Sequence, residues 1–121
     1  MPARILIIDD EPNWTDFAAA NLKAAFEVEL AGTLEAALLK LQQNYYELVI
    51  VGFNRYDVLR IIKEQYPKNR LIVATGQESV REAINVFRLG VLDYFRKDFQ
   101  GSGMSQKILS ALQKPSIVTP A

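Results

Sequence analysis

Three carboxylates in a row, Asp9-Asp10-Glu11, follow the apolar run Ile5-Leu6-Ile7-Ile8 and form the densest potential chemistry in the chain. Adjacent like charges repel by about 1–4 kcal/mol, depending on the local dielectric. Two readings of the triplet stay open. It holds a hard cation such as Mg2+, Ca2+ or Mn2+, which prefers oxygen ligands, or it is a solvated loop whose acids favour the start of the next helix. Thr75 closes the apolar run "LIVAT", and Lys97 closes "DYFRK". A hydroxyl at a strand end can simply satisfy a loop amide, which is the simpler role for Thr75. Gly52 stands out by contrast, because it ends Leu48-Val49-Ile50-Val51 with no side chain at all.

Elements must bring these residues together, and the pattern supplies them. Arg4 to Ile8 reads as a strand covered on both faces. Pro12 and Asn13 open a helix from Trp14 to about Phe26, with Phe17, Asn21 and Ala25 on one side and Ala18, Leu22 and Phe26 on the next. Trp14 either lids the acidic site or packs against its loop. Glu27 to Leu30 alternates like an edge strand. Thr33 caps a helix over Leu34 to Gln43, with Ala37, Leu38 and Leu41 at helical spacing. After the third strand, Leu48 to Val51, a helix runs from Asp57 to Tyr66 and stops at Pro67. Leu71 to Ala74 is the fourth strand. Ser79-Val80-Arg81-Glu82 is a capping box that opens a helix with Val80, Ala83, Ile84 and Phe87 inward and Gly90 as its stop. Val91 to Phe95 is the fifth strand, and Met104 to Gln113 a last helix with Ile108, Leu109 and Leu112 on one face.

Five such strand–helix units predict an α/β fold: a doubly wound, flavodoxin-like (βα)5 parallel sheet of strand order 2-1-3-4-5. Residues 1–114 form one domain and 115–121 a tail or the start of a linker. In such sheets ligands bind beyond the carboxyl ends of the strands, where strands 1 and 3 diverge, which points to Asp9-Asp10-Glu11 and Gly52.

Composition narrows the function. The chain has 121 residues, half of them hydrophobic, with 14 basic and 14 acidic side chains and a formal net charge of zero. That balance argues against a nucleic-acid or anionic-membrane footprint for this domain. No cysteine and no histidine occurs, so disulfides, thiol redox work, a histidine base and a phosphohistidine relay are excluded. A cytoplasmic setting fits, with no signal pattern and no apolar run of membrane-spanning length. No nucleophile–base pair or phosphate-cradling glycine loop appears, so an ordinary enzyme is not expected.

"ILIIDDEP", "ELVIV", "LIVATG" and "LGVLDYFRKDF" together resemble response-regulator receiver domains of two-component phosphorelay signalling, in order and spacing, from Arg4 to about Gln113. The resemblance implies that Asp9 and Asp10 match the Mg2+-binding acids. It also makes Thr75 and Lys97 match phosphoryl contacts, and Tyr94 match an aromatic that changes rotamer on activation. The phosphoaccepting Asp of the family falls at Gly52, where no nucleophile exists. Its loss also removes a metal ligand, so no cofactor is required and a weak Mg2+ site at Asp9 and Asp10 is the most expected. The turn after position 52 is short, with only Phe53 to Tyr56 before Asp57. Asp98 replaces the usual Pro after the Lys, so a trans Lys97–Asp98 bond is expected.

The resulting expectation is a pseudo-receiver: a protein-interaction or dimerisation module that is not phosphorylated at the usual site, partnered by a sensor kinase, an output domain or a second copy. Arg81, Arg88, Val91, Tyr94 and Arg96 are expected on or near its partner face. Without a phosphoacceptor, Lys97 is expected to pair directly with Asp9 or Asp10. Two alternatives remain. Asp57 substitutes as the phosphorylated acid, or the space at Gly52 forms a small-molecule or anion sensor pocket lined by Asp10, Gly52, Thr75 and Lys97.

Overall fold

Continuous apolar strands need cover on both faces, and a parallel sheet between two helix layers provides it. The computed structural model describes residues 2–52, 56–97 and 103–117. Within them, strands β1 (Arg4–Ile8), β2 (Glu27–Ala31), β3 (Leu48–Val51), β4 (Leu71–Thr75) and β5 (Asp93–Arg96) alternate with helices α1 (Pro12–Leu22), α2 (Leu34–Gln43), α3 (Tyr56–Gln65), α4 (Val80–Arg88) and α5 (Met104–Leu112). All neighbouring strands are parallel, and their order is β2-β1-β3-β4-β5, as the sequence predicts.

The two-residue period of a strand divides the core in two. Leu6, Ile8, Val49, Val51, Leu71 and Val73 face the layer of α2, α3 and α4, where they meet Ala37, Leu41, Val58, Leu59, Ile62 and Val86. Ile5, Ile7, Leu48, Ile50, Ile72 and Ala74 face α1 and α5, against Trp14, Ala18, Leu22, Met104, Ile108 and Ala111. Register then sets the site. Ile8 lies opposite both Ala31 and Val51, so Asp9 and Gly52 emerge side by side at the carboxyl end of the sheet. Backbone bonds continue the pairing past the strands: Asp9 N donates to Ala31 O at 3.0 Å, Gly52 N to Ile8 O at 2.8 Å and Lys97 N to Thr75 O at 2.7 Å.

Beside the start of β1, the β2 edge carries a lattice of charges. Arg4 pairs with Glu29 at 2.6 Å and Glu27 at 3.4 Å, and Lys40 of α2 reaches Glu29 at 3.1 Å. The Arg4 guanidinium also lies over the buried Tyr46 ring, 5.2 Å from its centroid.

Three expectations are corrected. Helix α1 stops at Leu22, and the chain turns so that Phe26 enters the core ahead of β2. Helix α4 is rotated relative to the expected face. Val86 is buried and Leu89 packs beside it, whereas Val80, Ile84 and Phe87 stand 78%, 48% and 48% exposed. The capping box is half formed. Ser79 Oγ accepts from Glu82 N at 3.0 Å, but Ser79 N donates to the Tyr94 hydroxyl at 3.1 Å, so Tyr94 occupies the place a Glu82 carboxylate would take. Gly90, at φ 91°, provides the left-handed turn that ends the helix.

Candidate functional site

A loop between a buried strand and a helix must point its polar side chains toward one another or toward water, and here both happen. Asp9 is 4% exposed. Its Oδ1 accepts from Glu11 N at 3.1 Å, and its Oδ2 lies 2.7 Å from Lys97 Nζ. Among the described residues this ion pair is the sole polar partner of Oδ2. Lys97 Nζ also binds Glu11 Oε1 at 2.6 Å, while the lysine side chain keeps only 5% exposure. Burial disfavours the ammonium, but the hydrogen bonds it donates to Asp9 and Glu11 outweigh this and raise the Lys97 pKa above its usual value. Trp14, in the first turn of α1, presents its ring 5.4 Å from Nζ and is itself buried. Both readings of Trp14 therefore meet: it packs inside the fold, and it roofs the lysine.

Gly52 adjoins this cluster. A Cβ placed there would overlap the Asp9 carboxylate, meeting Oδ2 and Cγ well inside van der Waals contact and Asp9 Cβ at 3.0 Å. The volume a side chain at position 52 would fill is taken by Asp9. Glycine is required here for close approach, and Gly52 is not among the glycines with positive φ. The expected Lys97–carboxylate pair is present with Asp9, and Glu11 is a second partner that sequence reasoning passed over. Its signal was its place as third acid of the triplet, one residue before the helix-opening Pro12.

Asp10 is exposed. Together with Asp9, Pro12, Thr15, Asp16, Leu30 and Gly32 it lines an open pocket of about 380 Å³ between the carboxyl ends of β1 and β2 and the first turn of α1. That pocket shares only Asp10 with the sensor pocket expected around Gly52, Thr75 and Lys97, and the difference follows from Asp9 filling the Gly52 space. The acids as placed do not fit a divalent cation: Asp9 is committed to Lys97, and among the described residues no three candidate ligands gather.

At the end of β4, Thr75 Oγ accepts from Gln77 N at 3.3 Å and donates to Gln77 O at 3.1 Å, the loop-amide role open to a strand-end hydroxyl. Tyr94 is half-buried, and burial raises its pKa against the lowering effect of the bond from Ser79 N.

The profile of the response regulator receiver domain family matches residues 5–109. The chain belongs to that family. An NtrX-like response regulator of Rickettsia felis is 29% identical over 123 residues, covering 95% of this receiver but 25% of the relative's own length. RegA, a photosynthetic apparatus regulatory protein of Rhodovulum sulfidophilum, is 26% identical across 90% of this chain and 62% of its own. The receiver thus spans about a quarter of the NtrX-like relative and less than two thirds of RegA. Among solved structures, NtrX from Brucella abortus in complex with ADP superposes at a TM-score of 0.85 with 26% identity, over 93% of this chain and 26% of that one. A response regulator from Thermotoga maritima reaches 0.87 with 19% identity, over 94% and 100%.

Other expected positions of the receiver divide. Arg81 and Arg88 on α4 and Arg96 on β5 are exposed. Val91 is not on that surface: it is 1% exposed and belongs to the core on the α2–α4 side. The apolar side chains that face outward there are Val80, Ile84 and Phe87. Asp57 lies exposed in the first turn of α3. The short turn at 53–55 and the Lys97–Asp98 bond fall outside the described residues, as do 118–121 of the expected tail.

Proposed function

We propose that this receiver works without phosphorylation at the end of β3, as a cytoplasmic protein-interaction or self-association module and not as an enzyme. The observation that carries the reading is Gly52 with the Asp9 carboxylate in its side-chain space. No acid issues from that strand end, and the vacated volume is closed to a ligand. The Lys97 ammonium, which the family resemblance assigns to the phosphoryl group, is instead held by two carboxylates.

The partner is a sensor kinase, an output domain or a second copy of the chain. It meets the face made by α4 and β5, where Val80, Ile84 and Phe87 stand exposed among Arg81, Arg88 and Arg96. Apolar side chains flanked by arginines suit a protein interface. Neither the substitute phosphoacceptor Asp57 nor a sensor pocket at Gly52 has an observation in its favour.

Intact mass after incubation with a small phosphoryl donor and Mg2+, alongside Asp57→Asn, tests this. Unchanged mass in both is expected. A single phosphoryl addition that disappears in Asp57→Asn would move Asp57 into the accepting role and overturn the reading.

A further inference from the structure

Lys97 sits where an acidic cluster would otherwise call for a metal. Its ammonium bridges Asp9 Oδ2 at 2.7 Å and Glu11 Oε1 at 2.6 Å, under the Trp14 ring and almost sealed from water. The other Asp9 oxygen is held by Glu11 N. The carboxylate as a whole is swung into the Gly52 space. Mg2+ needs a near-octahedral set of oxygens, usually including one or two carboxylates, and dehydrates reluctantly. Of the three adjacent acids only Asp10 is not bound by Lys97, and the ammonium held between the other two repels an incoming cation.

We infer that Lys97 is the resident cation of this site: the chain supplies the positive charge itself, and the acidic cluster is closed to divalent metals. The inference deepens the phosphorylation-independent reading and rests on the observation behind it, the Asp9 carboxylate in the Gly52 space. It adds that the site is held in one arrangement by an internal charge, without dependence on metal.

Mg2+ and Mn2+ alone are the probes. Trp14 is the chain's single tryptophan and lies against Lys97, so its fluorescence reports on the cluster. The wild type is expected to keep the same fluorescence and melting temperature as either cation rises into the millimolar range. Lys97→Met, which leaves the carboxylates without their cation, is expected to gain a saturable response, with melting raised by about 4 °C or more once cation exceeds its Kd several-fold. Lys97→Arg keeps the charge and is expected to stay unresponsive. A saturable Mg2+ response in the wild type overturns the inference, and this needs no variant to fold. A folded Lys97→Met that ignores both cations overturns it too. Mg2+ binding without phosphoryl uptake would sink this inference alone, whereas phosphoryl uptake by a wild type that shows no response to the cations would sink only the proposed function.

Discussion

At the scale of single residues, the site turns on one missing side chain. Gly52 is an exchange of volume: what it gives up, Asp9 takes, and Asp9 is thereby delivered to Lys97. Gly52→Ala should therefore act at a distance from its own backbone. The new Cβ displaces the Asp9 carboxylate, whose Oδ2 has the lysine as its sole polar partner among the described residues, and stability should fall by about 1–3 kcal/mol. Chemical denaturation of the two proteins checks this; equal midpoints would mean that Asp9 finds an equivalent partner. Part of this was legible in the sequence. The Lys97–carboxylate pair followed from a cation left without its phosphoryl group and acids left without their metal. The place of Glu11 beside the helix-opening Pro12 marked it as a candidate, but nothing in a run of three acids says which one folds back over the strand ends. The occupation of the Gly52 space was also hidden, since it depends on a rotamer and not on a residue type.

At the scale of elements, strands were easier to read than helix faces. Strands β1, β3 and β4 announce themselves by unbroken apolar runs, and their register follows from the sheet order. Helix α4 was misread because its apolar residues cover more than one face. A nine-residue helix chooses by packing, and Val86 with Leu89 won over Val80, Ile84 and Phe87. The edge strand β2 makes a testable electrostatic contribution. Burial pushes the Glu29 carboxyl up, but hydrogen bonds from Lys40 and Arg4 more than offset it, and the folded pKa is lowered. A carboxylate with a depressed folded pKa contributes stability above its unfolded value of about 4.3 and loses it as pH falls through the folded value. Glu29→Gln should accordingly cost about 1 kcal/mol at neutral pH, a modest figure because the pair is about one-third exposed. The two stability curves should converge in acid below pH ~4. Parallel curves down to the acid limit would show that the pairing is not linked to Glu29 protonation.

At the scale of the whole molecule, the fold was legible almost entirely, because five alternating units leave few ways to wind a parallel sheet. The surface was less so, since outward orientation is set by helix rotation. Phe87→Glu places a charge on the exposed α4 face without disturbing the core. It should leave the melting temperature within a degree or two while abolishing self-association or partner capture, as read by light scattering and co-elution. Retained association would move the interface elsewhere. The lattice of Arg4, Glu27, Glu29 and Lys40 has a further consequence for how copies can meet. The sheet is armoured along β2 and left with apolar neighbours along β5. A pair meeting through the β5 margin would place the same patch of each copy against the other and leave both charged β2 edges facing outward. Copies that associate through that margin are expected to close at two, and a scattering mass that keeps rising with concentration would show that they do not.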